Sequence, residues 1–315
     1  MSAATTAGAL TRAGTETMYF IGVSTGSSAV HSVFAAWKPM LGIPDASLIG
    51  IDLPLDASDE DYRSVARFII GDPLSRGALV TTHKLNLFRA CADLFTSLDA
   101  SARLLHEVSC LAVRDGGLLG FALDTTSSRL ALEAVTDVGG RDVLLMGAGG
   151  AALALATPLS CLDGAAAARR VIVTDIRQSN LDELARVVSL SASSTAWDYR
   201  IVDPDGVQDE VLSELAGGAL IVNATGKGKD RPGSPLSDDV VFPLDAVVWE
   251  FNYRGSLEFL RQAEAQQQER GLDVHDGWIY FVHGWTRAIA EVFEIHIPSN
   301  GPDFDALAAA AKAAR

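Results

Sequence analysis

The sequence predicts an α/β protein organised as two domains on mostly parallel sheets, and three observations carry that prediction. Short apolar runs of strand length alternate along the chain with segments whose apolar residues recur at helical spacing, the pattern of strand–crossover–strand units. The run Asp142 to Met146 passes directly into Gly147 Ala148 Gly149 Gly150 Ala151 Ala152, a strand entering a small-residue turn and then a helix. At 315 residues the chain is long enough to build two cores.

Taken in order, the first strand is read at Tyr19 to Ser24, closed by the turn-prone Thr25 Gly26 Ser27 Ser28. From Ala29 to Leu41 the residues Val30, Val33, Phe34, Trp37 and Leu41 share a helical face. A strand follows near Leu48 to Leu53, then a helix from Asp59 to Ile70 with acidic residues at its start, then a strand Ala78 to Thr81. Val108 to Val113 and Gly117 to Gly120 flank Arg114 Asp115 Gly116 as a hairpin-like pair, and a helix is read from Arg129 to Val138. Beyond the glycine-rich turn come a helix over 150–161, a strand Val171 to Thr174, a helix over 181–190, and strands at Gly218 to Thr225 and Val247 to Tyr253. Val274 His275 marks another strand end, and the last helix is read from Trp278 to Phe293.

The turn fits G-x-G-x-x-[GA] with Gly147, Gly149 and Ala152, and each position has a physical reason. The first glycine permits a sharp turn, the second lets backbone N–H groups approach a pyrophosphate, and the small third residue lets the helix lie close on the strand. The positive end of the helix dipole then faces the phosphates. Asp175 ends the next strand, 25 residues after Gly150, where a carboxylate can accept both ribose hydroxyls of an adenosine. This is a Rossmann-type dinucleotide signature. A carboxylate there repels a 2′-phosphate, with Arg177 offsetting that in part, so NAD is expected over NADP.

Composition narrows the rest. A net charge of −15 opposes nonspecific binding to nucleic acid or to anionic membranes, so an anionic ligand needs a local cation. Cys91, Cys110 and Cys161 have no paired spacing, and the six histidines no ligand spacing, so a metal site and disulfides are not expected and a reducing, cytoplasmic setting is. Residues 1–17, rich in Ala, Thr and Gly, are expected to be disordered and carry no apolar segment that would make a signal or an anchor.

Two polar residues stand out. A helix starting at Lys84 puts an ammonium at the wrong end of the dipole, at a cost of a few tenths of a kcal/mol when exposed, so something should compensate it. Dipole and burial would both lower its pKa, as acid/base work at neutral pH requires, although taken alone the residue reads more readily as a surface lysine tolerated at a loop. Asp124 precedes a helical stretch, where it serves as an N-cap or as something more.

Together these segments resemble the shikimate dehydrogenase family, over residues 18 to 293 and by motif order. The family's V-T-x-P-x-K element looks like Val80 Thr81 Thr82 His83 Lys84, one residue shorter and without the proline. Its G-x-x-x-D-x-x-G element looks like Gly120 to Asp124, with Thr125 beside the aspartate; its G-A-G-G-A element is Gly147 to Ala151; its N-A-T-x-x-G element is Asn223 to Gly228. Its D-x-x-Y strand looks like Glu250 to Tyr253 and its D-G element like Asp276 Gly277.

The resemblance implies a substrate domain over 1–125 plus 281–315, a dinucleotide domain over 126–280, and a monomer or homodimer. It implies NAD(P)-dependent oxidation of a hydroxyl, with Lys84 as general acid/base and Asp124 holding the substrate and the charge of the lysine. Ser28, Thr81, Ser109 and Tyr253 would bind substrate, and Gly147, Ala148, Gly149, Gly150, Ala151, Asp175, Arg177, Asn223, Ala224, Thr225 and Gly277 the cofactor. The family's S-x-S pair is Ser28 Ala29 Val30 here, its V-N-T asparagine aligns with Ser109, and a glutamine with Gly284. Losing those groups alters which ring substituents are accepted, pointing to quinate, an aminoshikimate or a cyclitol rather than shikimate itself. The rival from another class is a nucleotide-binding regulator without turnover, since a fold does not guarantee an activity. A methylene-folate type dehydrogenase lacks support from the D-G and N-A-T elements.

Overall fold

The computed structural model describes residues 5, 6 and 9 to 315, apart from 205 and 230. The chain divides into two compact units, Met1–Asp124 with Val282–Arg315, and Thr125–Phe281. Both are α/β.

The first unit contains β1 (Thr5–Thr6), β2 (Thr17–Gly22), α1 (Val30–Met40), β3 (Ser47–Asp52), α2 (Asp59–Gly71), β4 (Ser75–Val80), α3 (Lys84–Ala90), β5 (Phe95–Leu98), α4 (Ala100–Leu105), β6 (Cys110–Arg114) and β7 (Gly117–Phe121). Its sheet runs β1-β3-β2-β4-β6-β7-β5. Pairing is parallel except where β6 meets β4 and β7. All six residues of β2 are buried, as a strand between two parallel neighbours requires. The helical face expected in α1 is buried as Val30, Val33, Phe34 and Trp37, and shielding a side chain the size of Phe34 contributes about 2 kcal/mol. The α2 helix begins on a capping box in which Ser58 and Asp61 satisfy each other's backbone N–H groups.

Two expectations are corrected in this unit. Thr5 and Thr6 pair with Ile51 and Asp52, and the Ala13 N–H donates to the Asp72 carboxylate at 2.9 Å, so the described part of residues 1–17 is structured; residues 1–4 and 7–8 lie outside the described residues. The helix from Trp278 is not the last. After α10 (Trp278–Phe293) comes α11 (Gly301–Ala314), held to α1 by the Trp37 indole N–H donating to the Leu307 carbonyl at 2.8 Å.

The second unit carries α5 (Asp124–Val135) from its second residue onward, then β8 (Asp142–Met146), α6 (Gly150–Ser160), β9 (Arg170–Asp175), α7 (Gln178–Val188), β10 (Ala196–Ile201), α8 (Asp209–Ser213), β11 (Leu220–Asn223), β12 (Val247–Glu250), α9 (Glu258–Arg270) and β13 (Asp273–His275). Its six strands are parallel in the order β10-β9-β8-β11-β12-β13, the doubly wound arrangement whose strand order reverses between β8 and β11. Alternate residues of each central strand enter two separate cores: Val143, Leu145, Val171 and Val173 on one face, Leu144, Met146, Ile172 and Ile221 on the other. Covering both faces is what allows these strands to be almost wholly apolar.

Among the described residues no helix is long and apolar enough to cross a membrane, and no group of three or more His, Cys, Asp and Glu side chains could hold a metal ion. The three cysteines are unpaired.

Candidate active site

In the first unit the site forms at the carboxyl ends of β2 and β4, adjacent parallel strands, where an open sheet holds ligands. Asp52 at the end of β3 fixes the turn after β2, its carboxylate accepting from the Thr25 N–H at 2.8 Å and the Thr25 hydroxyl at 2.6 Å. Half-buried Ser28 lies in that turn, its hydroxyl accepting weakly from the Val30 N–H at 3.4 Å. After β4, the Thr81 hydroxyl reaches the Ile21 carbonyl at 3.3 Å, and Gly22 permits this because a Cβ there would lie 2.9 Å from the Thr81 oxygen.

Thr82 then takes a left-handed conformation, φ +60°, unusual for a β-branched residue. That turn buries His83, whose ring nitrogens meet the Tyr62 hydroxyl at 2.8 Å and the Leu53 carbonyl at 3.0 Å. It leaves Lys84 as the first residue of α3.

Asp124 is brought to it from the other side. Asp99 caps α4 through the Ala102 N–H at 2.7 Å and also accepts from the Ala122 N–H at 3.2 Å; the Ser109 hydroxyl accepts from the Leu123 N–H at 2.8 Å. These anchors start α5 at Asp124, five residues before the helix read from the sequence. The Lys84 ammonium donates to the Asp124 carboxylate, supplying the compensation that a cation at a helix N-terminus needs. Both side chains keep about a fifth of their surface open, 23% and 20%.

A third ionisable group, which sequence reading passed over, completes the set. Glu107 is 8% exposed, and burial pushes its carboxyl up to about 7, against the pull of the Lys84 ammonium and with the help of the Asp124 charge. The expected lowering of the lysine is corrected here. Burial does push Lys84 down, but the Asp124 and Glu107 charges and the Asp124 hydrogen bond outweigh it, and its pKa stands above the ordinary lysine value. Lys84 is held as an ammonium.

In the second unit the glycine-rich turn lies at the strand-order reversal. Gly147 has φ +97°, and a Cβ there would lie 2.8 Å from the Ala224 carbonyl oxygen, so the turn and the segment after β11 can approach only with glycine. Gly149 and Gly150, at the start of α6, have nothing within 4 Å of the position a Cβ would take. Ala148 donates its N–H to Asp175 at 2.7 Å, and Asp175 also accepts from the Arg177 N–H and the Asn180 amide. An open groove is lined here by Gly147, Gly149, Asp175, Arg177, Asn180, Ala224, Thr225, Lys227 and Arg231. Asn180 and Arg231 were not picked out from the sequence, because nothing in their spacing marks them.

Five assigned residues have other surroundings than ligand contact. Asn223 is fully buried; its amide donates to Glu250 at 2.7 Å and its oxygen accepts from the Thr225 N–H and hydroxyl, so it shapes the loop rather than facing the groove. Gly277 packs against backbone, a Cβ there falling 2.1 Å from the Phe251 carbonyl oxygen. Ala151 packs on a core cluster. Ser109 spends its hydroxyl on the Leu123 N–H. Tyr253, in the second unit, packs its ring against Trp278 and Phe281. The structure brings Lys84 and Asp124 together in one unit and the glycine turn, Asp175, Ala224 and Thr225 together in the other.

No protein-family model matches the chain. Over 186 residues it is 32% identical to a curated relative from Symbiobacterium thermophilum, "Shikimate dehydrogenase (NADP(+))", covering 58% of this chain and 60% of that protein. A Streptococcus pneumoniae protein of the same description is 27% identical over 173 residues, 54% and 57% of the two chains. The chain thus aligns with about three-fifths of the length of these relatives. Among solved structures, shikimate 5-dehydrogenase from Listeria monocytogenes in complex with shikimate and NAD superposes with a TM-score of 0.71 at 20% identity, covering 94% of this chain and 96% of that one. The Thermus thermophilus enzyme in complex with NADP(H) and shikimate gives 0.70 at 24% identity, over 95% and 99%. A 5-ketofructose reductase from Gluconobacter gives 0.66 at 20% identity, over 94% and 97%.

Proposed function

We propose that the chain is a member of the shikimate dehydrogenase family and an NAD(P)-dependent oxidoreductase interconverting a hydroxyl and a ketone on a shikimate-like or related cyclic polyol. The observation that carries the reading is the Lys84–Asp124 ion pair: an acid and its partner, partly open, at the carboxyl ends of parallel strands.

The groove in the second unit fits a dinucleotide. Gly149 and Gly150 leave the start of α6 bare, as the approach of a pyrophosphate to backbone N–H groups demands, and Asp175, Arg177 and Thr225 are the polar groups that would hold it. When bound, the dinucleotide supplies hydride to, or takes it from, the carbon that bears the reacting oxygen. The chain's own residues handle the proton. In the reducing direction the Lys84 ammonium gives its proton to the oxygen of the ketone as that oxygen becomes a hydroxyl, and Asp124 orients the lysine and accepts a hydrogen bond from the substrate. In the oxidising direction Lys84 must first be neutral, then takes the hydroxyl proton. Because Lys84 is held as an ammonium, reduction starts from the form present at neutral pH.

NAD is the preferred cofactor in this reading, since the Asp175 carboxylate lines the groove and opposes a 2′-phosphate. Arg177 and Arg231 line the same groove and would soften that preference. The setting proposed is the reducing cytoplasm, consistent with unpaired cysteines. The test follows NADH and NADPH absorbance with shikimate, quinate, aminoshikimate and cyclitols. Turnover of one of them with NAD supports the reading, a tenfold preference for NADP overturns the role given to Asp175, and dinucleotide binding with no turnover of any overturns the activity.

A further inference from the structure

Of the groups that hold the Asp175 carboxylate, one differs in kind from the others. One carboxylate oxygen accepts from the Ala148 N–H at 2.7 Å and the other from the Arg177 N–H at 2.8 Å. Both donors are backbone, one in the glycine-rich turn and one at the N-cap of α7, so the fold sets their positions. The third partner is a side chain. The Asn180 amide nitrogen lies 3.2 Å from each of the two oxygens and donates across the pair. An ionised carboxylate only accepts, so the nitrogen of the amide, not its oxygen, must face it.

Asn180 is the third residue of α7, and its backbone N–H donates to the Arg177 carbonyl at 3.2 Å, so the helix fixes where the amide reaches. Both Asp175 and Asn180 line the groove assigned to the dinucleotide. The terminal torsion of an aspartate is soft, so the plane of its carboxylate is set by its donors. A ribose diol needs that plane, since its two hydroxyls donate to the two oxygens side by side. A 2′-phosphate has no proton to donate there and meets a like charge.

We infer that Asn180 is a positioning residue for the dinucleotide: its amide holds the Asp175 carboxylate in the plane that receives the adenosine ribose, and so favours a 2′-hydroxyl over a 2′-phosphate. The inference rests on the dehydrogenase reading above and deepens it at the cofactor end. Binding alone tests it, whatever the polyol.

The experiment measures Kd for NAD and for NADP by calorimetry on the full chain, on Asn180→Ala and on the near-isosteric Asn180→Asp, with thermal melts to confirm folding. In Asn180→Ala the Kd for NAD is expected to rise by about tenfold and that for NADP to stay within about twofold. Asn180→Asp sets a second carboxylate against Asp175, and two such groups resist ionising together. Its NAD affinity is expected to recover by about fivefold or more between pH 8 and pH 5.5, as the pair takes up a shared proton, against a change within about twofold in wild type. The other charged groups lining the groove, Arg177, Lys227, Arg231 and Asp203, are common to all three proteins. Equal losses for NAD and NADP in folded Asn180→Ala, or NAD binding unchanged or tightened, overturn the inference and leave the dehydrogenase standing. So does an NAD affinity of Asn180→Asp that follows pH no more than wild type, and this holds whether or not the alanine variant folds. A wild-type chain that binds neither dinucleotide overturns the reading beneath as well.

Discussion

The Lys84 ammonium and the Asp124 carboxylate, forty residues apart in sequence, are hydrogen-bonded to each other, and each is the first residue of a helix. The carboxylate is favourably placed by its helix dipole and the ammonium unfavourably, so the pair balances a cost that neither helix would remove alone. Catalytic expectations follow from what happens when either end is changed.

Asp124→Asn removes the charge that acts most strongly to hold Lys84 protonated, and the lysine pKa should fall. Oxidation of the alcohol needs neutral lysine, so the rising limb of kcat/KM against pH is expected to move to lower pH in this variant. Turnover at neutral pH should drop by about 10²-fold or more as the substrate contact is lost, with the dinucleotide Kd within a factor of two. A pH profile with an unmoved limb contradicts the coupling; an equal loss of affinity and turnover assigns Asp124 a structural role.

The two glycine positions should respond in opposite ways. Gly147→Ala forces a left-handed residue and places a Cβ 2.8 Å from the Ala224 carbonyl oxygen, and is expected to cost about 2 kcal/mol or more of stability. Gly150→Ala enters open space at the start of a helix, so the melting temperature should hold or rise slightly while dinucleotide affinity falls. Thermal melts with and without NAD separate the outcomes, and an unchanged affinity in Gly150→Ala would remove the phosphates from that turn.

Glu250 should make stability fall with pH. Burial raises its carboxyl from 4.5 to about 7, despite hydrogen bonds donated by Asn252 and Asn223. The folded state therefore binds the proton more tightly than the unfolded chain, and its stabilising contribution is complete below about 4.5 and lost as pH rises through about 7. At 1.36 kcal/mol per unit the ionisation costs roughly 3 kcal/mol. Urea unfolding of Glu250→Gln between pH 4.5 and 8 is expected to show a flatter profile than wild type, with the remaining slope in that window belonging to Glu107, whose shift has the same sign. An unchanged slope would mean that Glu250 titrates normally.

Asp175 joins the end of β9 to the glycine turn, so changing it should have two effects. Asp175→Ser removes the charge facing a 2′-phosphate and also the acceptor of the Ala148 N–H. The ratio of kcat/KM for NAD to that for NADP is expected to fall by tenfold or more, accompanied by weaker binding of both. A ratio that stays constant places discrimination on Arg177 and Arg231 instead.

Much of this architecture was legible in the sequence where patterns are local. The apolar run Val143 to Met146 before Gly147 and the glycine spacing identify a strand, turn and helix without reference to the rest of the chain, and the face of α1 is visible at i, i+3, i+4 and i+7. Elements held mainly by tertiary contact left weaker traces. The edge strand β10 has no fully buried residue, and α9 buries only Phe259 and Ala263, so neither shows a strong apolar period. The same holds for the site. Lys84 and Asp124 were found because motif order points to them, whereas Glu107 is a lone glutamate before a strand, and only the Val108–Lys84 hydrogen bond brings it to the pair. Burial of Lys84 was foreseeable, but the charges that outweigh it, Asp124 first and Glu107 second, come together only in the fold, so the upward direction of its shift was not legible from position 84 alone.

The account turns on Lys84 as the group that moves the proton. The measurement that tests it most directly is turnover of the best polyol by Lys84→Met, which keeps the length and apolar stem of the side chain, set beside the dinucleotide Kd of the same preparation. A fall in kcat of about 10²- to 10⁴-fold with Kd within a factor of two is the expected result. A kcat within tenfold of wild type, or Kd and kcat lost together, would contradict it.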